Sequence, residues 1–149
     1  ACKLVVVLAK RYQIGRLNAQ KVTAGVVNFA THMKKIYHLG NCTTCQAIIR
    51  ETGIDKKGFD MQDIKTEPIT PAQLDEMKKL MGSYEKLFSR RALKYKEMGL
   101  KNKTLTEKDY RQLILDEYTF LKRPVVIIGN TIFSGSEKKT VEALKKAVG

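Results

Sequence analysis

An α/β fold, a mixed four-stranded sheet flanked by helices with a helical insertion between its two halves, follows from three features of this 149-residue chain. Residues 42–45 read Cys-Thr-Thr-Cys and lie between a strand-like run and a helix-like one. The segments fall in the order β-α-β, then helices, then β-β-α. Val125-Val126-Ile127-Ile128 is a continuous apolar run, as expected of a central strand covered on both faces. A Cys-x-x-Cys pair in an intracellular β-α-β context reads as a thioredoxin-like redox arrangement.

The elements follow in order. Lys35 to His38 is a short strand. Thr43 to Thr52 is a helix with Cys45, Ile48, Ile49 and Thr52 on one face and Gly53 as its stop. Phe59 and Met61 alternate with Asp60 and Gln62, which predicts a second strand with those apolar residues on one side. Thr70-Pro71 supplies a cap residue and a Pro at the first helical position, and Leu74, Met77 and Met81 give that helix its apolar face before Gly82. Ser83 to Leu100 reads as short helical segments and contains Arg90-Arg91. Thr106 to Asp109 resembles a capping box with Asp in place of Glu, opening a helix to about Tyr118. Gly129-Asn130 is a turn signal that makes Thr131 to Phe133 the hairpin partner of the apolar strand. Ser136 is the expected cap of a last helix whose inward residues are Val141, Leu144 and Val148.

Composition narrows the function. The chain is long enough for one domain with its own core, and 43% hydrophobic with 29% charged residues is ordinary for a globular protein. Three cysteines, Cys2, Cys42 and Cys45, are too few and too odd in number for a secreted disulfide scaffold, so a reducing cytoplasm is expected. The longest early apolar run, Leu4 to Ala9, is far too short to cross a bilayer. No zinc site is expected, because a lone Cys pair needs further ligands.

The net charge is +13, and it is unevenly spread. Residues 1–32 carry Lys3, Lys10, Arg11, Arg16 and Lys21 and no acid, which leaves +8 on residues 33–149. Met33-Lys34-Lys35 reads as a natural start, so residues 1–32 are expected to be an extension outside a core of residues 33–149: a leader or an over-long start, with an acid-poor transit peptide as the rival. The charge could attract nucleic acid, acidic proteins or oxyanions. No basic stripe interleaved with aromatic residues is present, which argues against direct nucleic-acid binding.

The Cys pair carries the chemistry. A thiolate at a helix N-terminus faces backbone N–H groups without helical partners and the positive end of the helix dipole, and both lower its pKa. Cys42 is the expected nucleophile. Cys45, one turn further on, is within disulfide reach of it. Cys45 reads either as the thiol that resolves an intermediate on Cys42 or as a core residue sharing a face with Ile48 and Ile49.

Four segments together resemble one family. They are Ile36-Tyr37-His38-Leu39-Gly40-Asn41-Cys42-Thr43-Thr44-Cys45, Asp63-Ile64-Lys65-Thr66 with Pro68, Ser89 to Leu100, and Leu121-Lys122-Arg123-Pro124-Val125-Val126-Ile127. In this order they resemble the ArsC/Spx/YffB family, which includes the glutaredoxin-linked arsenate reductases and the Spx regulators. The resemblance covers residues 33–149. It implies Cys42 as the nucleophile, Arg123 as an oxyanion contact and a cis peptide bond before Pro124. Arg suits that role because its guanidinium presents a fixed fork of donors to an oxyanion. Arg91 matches the Arg of the Spx- and YffB-like members and would add a second anion contact, or be one of a solvated pair with Arg90. His38 matches a His near the nucleophile in the arsenate reductases, which would make it an oxyanion- or substrate-binding residue that helps hold the thiolate, or it is a packing residue at a strand end.

The resemblance also sets up two functions. One is a thiol oxidoreductase acting on a small oxyanion or a disulfide, with no bound cofactor and with glutathione, glutaredoxin or thioredoxin as reductant. The other is an Spx-like redox-sensing regulator that binds the C-terminal domain of the RNA polymerase α subunit. Ser134 falls where the arsenate reductases carry a third Arg, and a neutral Ser cannot replace a guanidinium at a multiply charged oxyanion. The second Cys and that Ser both lean to the Spx and YffB side. Gly40 lies near, but not convincingly at, the Gly of the Spx contact surface.

Overall fold

A computed structural model describes residues 33–149; the expected extension over residues 1–32 lies outside the described residues. Strand β1, Lys34–His38, leads through a four-residue loop into helix α1, Thr43–Thr52. Gly53 ends α1 with φ 63°, a left-handed conformation that Gly adopts without a Cβ clash, and its N–H donates to the Ile49 carbonyl. Strand β2, Asp60–Asp63, completes the first half. Four helices follow: α2 Pro71–Met81, α3 Tyr84–Leu87, α4 Leu93–Glu97 and α5 Glu107–Asp116. Strands β3, Val125–Ile128, and β4, Thr131–Ser134, form the hairpin, and α6, Lys138–Val148, closes the chain.

The sheet order is β2-β1-β3-β4, with β1 parallel to β2 and antiparallel to β3, and β3 antiparallel to β4. This is the thioredoxin-like arrangement, and the helical insertion sits between the two halves as expected. The Val125–Ile127 stretch of β3 is fully buried because both faces of the sheet are covered. Alternate side chains of the central strands feed two cores. Ile36 and Val126 pack with Ile48, Ile49, Ile54 and Leu144. Tyr37, Val125 and Ile127 pack with the insertion through Leu74, Met77, Leu87, Phe88, Ile114 and Phe120.

Two local expectations change. In β2 the buried residue is Gln62, while Met61 is exposed. Gln62 is tolerated there because its amide donates to the Glu67 carbonyl at 3.1 Å and to Gln73 Oε1 at 3.3 Å, and its own oxygen accepts from Gln73 Nε2 at 3.0 Å. The strand is an edge, so apolar alternation is not what orients it. Helix α6 is capped by Glu137 rather than Ser136, with no side-chain cap hydrogen bond. The α2 and α5 caps match the sequence reading: Thr70 with Gln73, and Thr106 with Asp109, form complete capping boxes.

Candidate functional site

The loop from β1 to α1 is held from two directions. Gly40 N–H donates to Asp63 Oδ2 at 3.0 Å, and the Gly40 carbonyl accepts from Gln46 Nε2 at 3.1 Å. A Cβ on Gly40 would lie 2.5 Å from Asp63 Oδ2, so a larger residue would push the carboxylate out of this hydrogen bond. Cys42 N–H donates to the Leu39 carbonyl at 3.0 Å, closing the turn. Cys42 is the N-cap of α1 in extended conformation, with φ −91° and ψ 111°. Asp63 was visible only as part of the second family-like segment; its hold on Gly40 spans 23 residues and leaves no local sequence signal.

Both cysteines are free thiols, Cys42 half-buried and Cys45 fully buried. Burial pushes the Cys42 thiol up, but the Cys45 and Thr44 backbone N–H groups, the Cys45 thiol and the Arg123 charge outweigh it and hold it below its ordinary value. Burial dominates at Cys45 and, with the Cys42 sulfur beside it, pushes that thiol up to about 11. The pair therefore divides into an outer sulfur whose charged form is favoured and an inner thiol that stays protonated and donates toward it.

Cys42 opens onto a cavity of about 580 Å³. The insertion and the second half of the fold build its walls. Phe88 and Leu121 form an antiparallel bridge, Ser89 N–H donates to the Phe120 carbonyl at 2.6 Å, and Lys122 N–H to the Leu87 carbonyl at 2.7 Å. Phe88 stacks on Phe120 with ring centroids 4.9 Å apart. This clamp brings Arg90 and Arg91 to the same cavity as Arg123, over 30 residues away in sequence. The Arg123–Pro124 peptide bond is cis.

Five cationic residues line the cavity, Lys86, Arg90, Arg91, Lys122 and Arg123, against the acids Glu85 and Glu137. Glu85 is engaged by Arg90 at 2.6 Å. The balance favours an anionic occupant. Arg90, read from sequence as solvated, is both exposed and part of the wall. Lys122 and Phe88 are lining residues that sequence reasoning did not single out; Lys122 lies beside Arg123 inside the quoted segment. His38 ends β1 and is not among the lining residues, and its Nδ1 is buried without a hydrogen-bond partner in the protein. Ser134 Oγ is likewise buried and unpartnered, while the neighbouring Gly135 and Ser136 reach the cavity. Among the described residues, no group of three or more His, Cys, Asp and Glu is placed to hold a metal ion, and no helix is long and apolar enough to cross a membrane.

A model of the ArsC family matches residues 37–144, well over half of the chain. The chain belongs to the ArsC family. Comparison with curated proteins finds no match. Among solved structures, this ArsC-family chain is similar to a Bacteroides fragilis protein described as ArsC-family related, with 23% identity, a TM-score of 0.65, and coverage of 76% of this chain and 98% of that one. It is similar to the arsenate reductase of Vibrio cholerae at 13% identity and a TM-score of 0.63, covering 78% of this chain and 98% of that one. A Staphylococcus aureus protein solved by NMR in solution is 28% identical, with a TM-score of 0.59 and coverage of 74% and 97%. At such identities the first two likenesses establish the fold. The match of the ArsC model spans both the Cys42 and the Arg123 segments.

Proposed function

We propose that this ArsC-family chain is a thiol-dependent oxidoreductase in which Cys42 is the nucleophile. The observation that carries this reading is a Cys thiol held below its ordinary pKa at a helix N-terminus, opening on a cavity walled by five cationic side chains. With a disulfide substrate, the Cys42 thiolate attacks one sulfur, forms a mixed disulfide and expels the other sulfur as a thiolate. With an arsenic(V) oxyanion, it displaces water to form a sulfur–arsenic bond. A second thiol then attacks the Cys42 sulfur, which releases the bound thiol or, with arsenic, transfers two electrons as arsenic(III) leaves. Cys45 is the built-in second thiol, and glutathione an external one. Arg123 and Arg91 hold the anionic substrate.

Glutaredoxin or thioredoxin would return the cysteines to thiols, and no bound cofactor is required. The site is incomplete for arsenate, because Ser134 supplies no guanidinium; a disulfide is therefore the favoured substrate. NADPH consumption with arsenate or a small disulfide, run with the glutathione–glutaredoxin and thioredoxin systems in parallel, tests the reading. Turnover that disappears in Cys42→Ser supports it. Absence of turnover with every pair of substrate and donor would sink it.

The second thiol favours one other reading, a redox-switched regulator of the Spx kind that binds the RNA polymerase α subunit. A pull-down that recovers the α subunit differently from oxidised and reduced protein would select it.

A further inference from the structure

We infer that the segment from Arg90 to Lys103 is a docking face for a protein partner whose rim is acidic, and that this partner is the dithiol protein that reduces Cys42. This rests on the oxidoreductase reading above. The segment holds Arg90, Arg91, Lys94, Lys96, Lys101 and Lys103 against a single acid, Glu97. Arg90 is paired with Glu85 and Lys94 with Glu117, while Arg91, Lys96, Lys101 and Lys103 form no ion pair among the described residues. No residue of α4 is buried. Two apolar side chains stand out among these cations, Leu93 at 79% exposure and Met98 at 46%.

The two exposed apolar side chains add contact surface to this cationic segment. Cations interspersed with exposed apolar side chains match a partner whose surface is acidic with apolar residues among the carboxylates. The place of the face is equally informative. It begins at Arg90 and Arg91, which line the cavity onto which Cys42 opens. A protein seated on it would bring its own sulfur to the outer of the two thiols. Cys45 is fully buried, so only Cys42 can be attacked from this side.

Charge narrows the occupant further. The chain's own residues 1–32 carry five cations and no acid, so they are electrostatically unsuited to cover the face. A second copy of a +13 chain is disfavoured for the same reason. The step served by docking is balanced. After a turnover leaves Cys42 and Cys45 joined, one partner thiolate attacks Cys42 and frees Cys45. The second partner thiol then displaces Cys42. Two electrons and two protons pass to this chain, and the partner leaves as a disulfide.

The test uses the full chain oxidised to the Cys42–Cys45 disulfide, with thioredoxin, glutaredoxin and the small reductant dithiothreitol as probes. The variants are Leu93→Ser and the pair Lys96→Glu with Lys101→Glu, all exposed and outside the cavity lining. The expected result is a fall of about tenfold or more in kcat/KM with a protein reductant, carried by KM and mimicked by salt, with the dithiothreitol rate unchanged. Unchanged efficiency with the protein reductants overturns the docking face. So does an equal loss with dithiothreitol, because the substitutions would then act on the thiols themselves. Loss of binding to anionic vesicles or RNA, with reduction by proteins intact, also overturns it. Failure of the parent reading is distinguishable, since the unsubstituted chain would then show no turnover with any pair of substrate and donor, whatever the surface variants did.

Discussion

Helices α1 and α2 begin in opposite ways. Helix α2 opens on a complete capping box: Thr70 Oγ1 accepts from Gln73 N–H at 3.2 Å, and Gln73 Oε1 accepts from Thr70 N–H at 3.0 Å. Its end groups are consumed by its own side chains, and Gln73 also serves buried Gln62. Helix α1 opens on Cys42, which makes no side-chain cap hydrogen bond as a thiol. The N–H groups of Thr44 and Cys45 face the sulfur instead and favour its charged form. A Ser at that position would be the better cap. One helix start is thus optimised for stability, while the other keeps its polar end for an anion, first the thiolate and then whatever replaces it.

The contrast can be broken from both sides. Cys42→Ser should lower turnover by at least about a thousandfold in the NADPH-coupled assay, since the hydroxyl is not ionised at neutral pH. Its melting temperature should stay level or rise, because Ser caps the helix. Arg123→Gln should reduce kcat/KM for an anionic disulfide by roughly tenfold to a hundredfold, the scale of one hydrogen bond to a charged group. It should also raise the pH at which Cys42 becomes reactive, because the Arg123 charge is among the causes of its lowered pKa.

Cys45 should show the opposite pH behaviour. Its folded-state pKa is raised, so the unfolded chain ionises first. The stability it contributes is present below the ordinary thiol range and is lost as pH rises toward about 11. Stability against denaturation should therefore fall less steeply at alkaline pH in Cys45→Ala than in the parent. The smallest effect belongs to the other helix start. Thr70→Ala should cost about 1 kcal/mol in chemical denaturation and leave the reactivity of Cys42 unchanged.

Local signals carried much of this molecule. Gly53, Thr70-Pro71, Gly82 and Thr106 to Asp109 marked helix ends because their chemistry acts within a few residues. The cysteines were legible for the same reason, as the helix start and the thiols share one short stretch. Gln62 was not, because its burial depends on Gln73 and the Glu67 carbonyl, partners that only the folded chain supplies. The hold of Asp63 on Gly40 was not legible either, since that contact joins two segments. Arg90 and Lys122 became lining residues through the Phe88–Leu121 bridge, a long-range pairing that no periodicity encodes. The residue types of the site were visible in sequence, but its enclosure was not.

The most direct test is alkylation of the reduced protein with iodoacetamide across pH, with each cysteine-containing peptide scored separately by mass. Cys42 should become reactive below the ordinary thiol range, and Cys45 should resist until strongly alkaline pH. Both cysteines reacting together, with a midpoint at the ordinary thiol value, would contradict the division of the pair into an outer thiol that ionises readily and a buried one that does not.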